Sequence, residues 1–221
     1  KTVTGIDVSR KAILFAKNLY SKNNITFIKT DGKNLPFNDN KFSVILSFQV
    51  IEHIVDYDNY LSEIKRVLKP QGIVIFTTPN ALTRLYPGMK PWNKFHVKEF
   101  SAKELDKILK KYFQHVNVKG LFAKEPNYSI EINRTNEIRK SYRKISFNKS
   151  LFNEYFKNYL RIIIPKFLIK FIKSNYVTKS FNKDHNLYTN DYSNTYSWRD
   201  YYYKTDSLDN AIGLVAFVDN D

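Results

Sequence analysis

Apolar and polar positions alternate along the first part of the chain in two periods, and the changes of period mark the elements. Val3-Thr4-Gly5-Ile6-Asp7 reads as a short strand that ends in an acid. Ser9 then stands as a helix N-cap before a segment through Tyr20, in which Ala12, Ile13, Phe15, Ala16 and Leu19 recur at helical spacing. Residues 25–29 alternate as a second strand, and Asp31-Gly32 turns out of it. Residues 42–48 form a third, mostly apolar strand. A helix is predicted over 57–68, with Leu61, Ile64, Val67 and Leu68 on one face, closed by Lys69-Pro70-Gln71-Gly72 because proline cannot continue a helix. Residues 73–77 are a fourth strand. A helix over 101–111 opens with Ser101 and Glu104 at capping-box spacing, and residues 115–118 start a fifth strand.

Strands alternating with helices at this spacing predict βαβ units, hence a mostly parallel sheet flanked by helices. From Ala123 the texture changes to a stretch rich in Asn, Lys, Tyr and Phe, in which residues 147–173 look helical around a break at Pro165. A clean apolar strand returns at 211–218. The organisation expected is a core over 1–122, an insertion or lid over 123–210, and a last core strand within 211–221.

The chain has 221 residues and is 43% hydrophobic and 26% charged, which excludes wholesale disorder. No apolar run approaches the roughly 20 residues of a membrane span, and residues 1–3 lead directly into a strand, unlike a secretory signal. The absence of cysteine removes any disulfide framework or thiolate metal site, and no metal ligand set is read from the sequence. A cytoplasmic setting fits. The net charge of +15 raises nucleic acid or anionic lipid as partners. The basic residues, however, are dispersed, with no arginine-rich block, and a solvated lysine surface accounts for them.

In open α/β sheets, ligands sit beyond the carboxyl ends of the strands. Asp7 at such an end could accept both hydroxyls of a ribose, or could equally cap the following helix. Asp31 could accept from an adenine amine while Gly32 lets backbone approach the ring, or the pair could be a plain turn.

Taken in order, residues 3–9, 31–37, 42–45, 47–54, 63–72 and 77–80 resemble the class I, Rossmann-like methyltransferases that use S-adenosylmethionine (the type 11 methyltransferases in particular). The resemblance implies that Asp7 binds the cofactor ribose, that Asp31 meets the adenine amine with Gly32 and Lys33 offering backbone, and that Ser47, Phe48 and Gln49 line the methionine and sulfonium end. It also implies a terminal strand antiparallel to an otherwise parallel sheet. The family's first strand and its Gly-x-Gly-x-Gly turn should precede Val3 by about a helix. Gly5 is single and lies in the wrong strand, so the expectation is an N-terminal truncation, with a degenerate, non-catalytic binding module as the alternative.

His53 and His96 are the candidate general bases for methyl transfer to a hydroxyl. The structural alternative is that Glu52-His53 fixes a loop by hydrogen bonds and that His96 anchors a lid. The pairing of Thr78-Pro79-Asn80 with residues 96–100 resembles methyltransferases of bacterial surface-polysaccharide clusters, which implies a sugar or another small hydroxylated acceptor. RNA is the second acceptor class considered. Residues 159–173 mix basic and large apolar side chains and could touch an anionic membrane surface or pack on their own domain.

Overall fold

The computed structural model describes residues 1–20, 22–143 and 198–220. By contact, the chain divides into one unit of residues 1–123 with 202–221 and a second of residues 124–201. The stretches 147–173 and 159–173 lie outside the described residues. Within the second unit, residues 127–143 form a helix in a stretch whose polar texture carried no such expectation.

The first unit holds two sheets. In the smaller, β1 (Val3–Asp7) pairs in parallel with β2 (Ile25–Lys29), and α1 (Arg10–Tyr20) connects them. Gly5 is required here by close approach, because a Cβ at that position would meet the Phe27 ring at 2.7 Å. The larger sheet has the strand order β3-β4-β7-β5-β6. Its strands are β3 (Phe42–Phe48), β4 (Leu68–Pro79), β5 (His115–Ala123), β6 (Tyr201–Lys204) and β7 (Gly213–Asn220). β3 and β4 run parallel, and β7 inserts antiparallel between β4 and β5. This is the Rossmann-like mixed sheet expected, with the late strand antiparallel. Among the described residues β1 pairs only with β2 and β3 only with β4, so one side of β1 and one side of β3 have no strand partner.

Several boundaries differ from the sequence reading, two of them for a visible reason. Helix α2 (Tyr57–Val67) stops one residue early, and β4 starts at once at Leu68, running through the Lys-Pro-Gln-Gly segment that looked like a turn. Gln71 takes a φ of 59°, and the pairing of β3 with β4 shifts register between Phe42 and Val44. The strand thus absorbs the turn residues as an irregularity, which Pro70 tolerates because it lies near the strand start. The last strand begins at Gly213, two residues later than the apolar run, because residues 208–210 form a 3₁₀ turn before it.

After the short α3 (Ala81–Arg84) comes α4 (Ala102–Leu109), and α2 and α4 cover one face of the larger sheet. Leu61, Ile64, Leu105 and Leu109 pack with Val74, Phe76, Leu214, Ala216 and Val218 in one continuous core. The apolar stripe of each helix has the i, i+3, i+4 spacing that keeps its side chains on the sheet. The expected capping box is present. The Ser101 hydroxyl accepts from the Glu104 amide at 3.3 Å, and the Glu104 carboxylate accepts from the Ser101 amide at 2.9 Å.

Candidate functional site

The carboxyl ends of β1, β2 and β3 carry the acids and polar groups singled out from sequence. Asp7 ends β1, exposed, and its Oδ1 accepts from the Ser9 amide at 2.6 Å. A carboxylate has more acceptor positions than that one contact uses. Asp31 accepts from the Lys33 amide at 3.0 Å, which closes a tight turn. Gly32 sits in that turn with φ +74° and nothing within 4 Å of where a Cβ would stand, so its backbone faces open space in a conformation that side chains rarely adopt.

The loop after β2 is tied down, not loose. The Asn59 side-chain amide donates to the Lys33 carbonyl at 2.7 Å, and the Leu35 amide donates to Glu63 at 2.8 Å. Arg66 donates to the carbonyls of Leu35 and Phe37 and pairs with Glu63 and Asp39. The hydrogen bond from Arg66, helped by the one from the Leu35 amide, holds the Glu63 carboxyl below its ordinary range against the opposing effect of burial. One face of α2 therefore fixes the turn that carries Asp31 and Gly32.

At the end of β3 the three predicted residues part company. Ser47 is buried, and its hydroxyl shares a 2.7 Å hydrogen bond with Tyr60, so its side chain belongs to the interior. Burial pushes the Tyr60 phenol up to about 12. Phe48 is exposed. Gln49 adopts φ 53°, and its amide donates to the Thr77 carbonyl at 3.0 Å, which turns the chain sharply out of the strand.

That turn leads into a polar cluster that sequence reasoning found only in part. The 3₁₀ turn Ile51–His53 buries Glu52 completely. Glu52 Oε2 accepts from Thr78 at 3.0 Å, while Oε1 is buried without a hydrogen-bond partner. Desolvation raises the Glu52 carboxyl above its ordinary value, only partly opposed by its hydrogen bonds and by the two histidines. The Glu52 carbonyl accepts from the amides of Val97 and Lys98, and His53 Nδ1 meets the Phe95 carbonyl at 2.9 Å. The loop over 95–98 is thus anchored on the 3₁₀ turn. The rings of His53 and His96 lie edge to face with centroids 4.7 Å apart. His96 Nδ1 meets Glu99 Oε1 at 2.8 Å, and Glu99 Oε2 accepts from Arg84 at 3.0 Å. Arg84 in turn lies 4.2 Å over the Trp92 ring.

His53 and His96 are therefore brought together. Arg84, Glu99 and Thr78 are members of the cluster that pattern alone did not single out as functional. The His-x-x-Glu spacing over 96–99 was the available signal, because it permits a contact across one turn. Asn80 has a structural part. Its amide donates to the carbonyls of Leu208 and Ala211 at 2.8 and 2.9 Å, clamping the segment that enters β7.

The parallel pair β1-β2, with Asp7, Asp31 and the open turn at Gly32 at its carboxyl ends, stands beside a mixed sheet and its helices in a Rossmann-like α/β arrangement, in which ligands sit beyond strand ends. Residues 1–76, about a third of the chain, match the family model described as "Methyltransferase domain". A "Probable S-adenosylmethionine-dependent methyltransferase" of Mycolicibacterium smegmatis is 34% identical over 110 residues, covering 49% of this chain and 42% of that protein. The ubiquinone/menaquinone biosynthesis C-methyltransferase of Desulfotalea psychrophila is 36% identical over 97 residues, covering 43% and 39%. The ubiquinone biosynthesis O-methyltransferase of Pelagibacter ubique is 34% identical over 86 residues, covering 38% and 36%. The matches thus span less than half of each relative's own length.

Proposed function

We propose that the protein is an S-adenosylmethionine-dependent methyltransferase that methylates a hydroxyl of a sugar or another small hydroxylated acceptor. The observation that carries the methyltransferase reading is the family match over residues 1–76, which includes the strand-end acids Asp7 and Asp31. The residues fit the cofactor. Asp7 would hold the ribose hydroxyls, Asp31 the adenine amine, and the open backbone of Gly32 and Lys33 would lie against the ring. Phe48 and Gln49, with the backbone of Ser47, would line the methionine end.

When bound, the cofactor supplies a methyl group on a positively charged sulfur. Transfer would join that methyl carbon to the acceptor oxygen, leave the electron pair of the broken carbon–sulfur bond on sulfur, and require the acceptor to give up its proton. In-line transfer of this kind gains most from alignment. The part of the chain is thus to orient the acceptor and to receive or disperse the proton, and the cluster of Glu52, His53 and His96 beyond β3 has the polar groups for that.

The choice of a sugar hydroxyl rests on the resemblance of residues 78–80 and 96–100 to surface-polysaccharide enzymes. The relatives include both C- and O-methyltransferases, so the acceptor is the finer part of the proposal. A lipid-linked acceptor would give residues 159–173 a role at a membrane surface.

Calorimetric titration of S-adenosylhomocysteine into the full-length protein tests the reading. Saturable binding that Asp7→Ala weakens at least tenfold is the expected outcome, and a folded protein that binds nothing overturns it. Transfer of labelled methyl from the cofactor into sugar acceptors, with RNA run in parallel, then decides the acceptor. Label in RNA and none in sugars would replace the sugar assignment.

A further inference from the structure

The cluster beyond β3 has the composition of a metal site. One carboxylate oxygen of Glu52 and one ring nitrogen each from His53 and His96 lie within 4.8 Å of one another. Each histidine also has its other side already spoken for. The Phe95 carbonyl can only accept, so His53 Nδ1 carries the proton, and the Glu99 carboxylate requires the same of His96 Nδ1. In the neutral form each ring is thereby held in the tautomer that leaves Nε2 with a free lone pair. A ligating histidine whose second nitrogen donates to a carbonyl or a carboxylate is the usual outer arrangement of protein metal sites, and it fixes both tautomer and ring orientation.

Glu52 supplies an independent observation. Its Oε1 is fully buried without a partner, and a buried carboxylate oxygen left unpaired is costly unless something meets it. The 3₁₀ turn could have buried an apolar side chain at no such expense. His53 is exposed, so the cluster opens to solvent on one side.

We propose that Glu52, His53 and His96 bind a divalent first-row transition-metal cation, with Nε2 of each histidine and Oε1 of Glu52 as ligands and Glu99 and Phe95 as their outer partners. Two imidazoles and one carboxylate suit ions of the manganese-to-zinc series better than calcium or magnesium, which favour all-oxygen sets. Bonds of about 2.1 Å set ligand atoms roughly 3–3.5 Å apart, inside the 4.8 Å within which one candidate atom of each residue lies. Three protein ligands leave positions for an acceptor oxygen, and an ion there would lower the pKa of a bound hydroxyl. That role rests on the methyltransferase reading, whereas the site itself does not.

The test uses the tag-free, metal-stripped protein titrated with Co²⁺, read by its visible absorption and by calorimetry. The expected result is one ion per chain, displaced by Zn²⁺, with affinity at least tenfold weaker in His53→Asn and in Glu52→Gln. Glu99→Gln, which keeps the ligands and alters only the outer partner of His96, should weaken binding by about 10- to 100-fold. Because Glu52 and Glu99 are buried, the exposed His53 variant decides the matter if the others fail to fold. A folded protein that binds no cobalt stoichiometrically, or a His53→Asn variant that binds as tightly as the unaltered chain, overturns the site. S-adenosylhomocysteine binding measured on the same samples separates the two proposals. S-adenosylhomocysteine binding without metal binding removes only the metal site, and the reverse removes only the methyltransferase reading.

Discussion

The two faces of the larger sheet carry apolar side chains in the same alternating pattern, yet they meet different surroundings. On one face Val74, Phe76, Leu214 and Val218 are covered by α2 and α4 and have almost no exposure. On the other face of β3, Val44, Leu46 and Phe48 are each more than half exposed. The smaller sheet behaves like that second face. Helix α1 buries only Ile13, while Leu14, Phe15 and Leu19 remain at least half exposed. Periodicity states which residues would gain from burial. Whether they are buried depends on what packs against them, and that is a property of the assembled unit.

The contrast makes substitutions on the two faces unequal. The largest effect belongs to Leu105→Ala on α4. Leu105 is fully buried, and its truncation should cost about 2–5 kcal/mol through lost transfer energy plus the cavity left behind. Denaturant unfolding would show this as a lower midpoint with little change of slope. Next comes Ser101→Ala at the cap of the same helix, which leaves an amide of the first turn unsatisfied. It should cost about 1 kcal/mol in the same measurement. The smallest effect is expected of Phe15→Ser on α1, within about 0.5 kcal/mol, as for other exposed positions. A loss at Phe15 comparable with that at Leu105 would break the comparison, because it would mean that the open face is covered in solution.

The elements of the core were legible because each combines a clear period with a terminal signal. Ser101 and Glu104 announce α4, and Asp31-Gly32 announces the turn after β2. The start of β4 was misread because Pro70 and Gly72 are helix-ending residues wherever they occur. Only the pairing of Leu68 with Phe42 shows the strand already under way. The helix over 127–143 was invisible as a packed element, since its polar texture offered no apolar stripe strong enough to stand out.

The site divides in the same manner. That Asp7, Asp31 and Gly32 stand at or just beyond strand ends follows from the pattern, because a strand end is a place that sequence can identify. The resemblance implies that Ser47 lines the methionine end, and the structure buries its side chain. A strand, however, sends successive side chains to opposite faces, and Tyr60, thirteen residues on, is what takes its hydroxyl. The meeting of His53 with His96, and of both with the buried Glu52, depends on how the loop over 95–98 folds back onto a 3₁₀ turn. No local pattern encodes a contact over that separation.

The insertion of β7 between β4 and β5 has a consequence for the order in which the molecule can be made. β4 and β5 are complete by Ala123, but the strand that joins them begins only at Gly213. During synthesis both must wait with bare edges while the whole second unit emerges, a delay of several seconds at about 5–20 residues per second. The entropy of closing so long a loop rises only slowly with its length, about 0.6 kcal/mol per doubling. The second unit could therefore grow or shrink during evolution with little thermodynamic penalty. What limits it is time, since every residue added prolongs the interval in which two apolar strands stand open to the wrong neighbour.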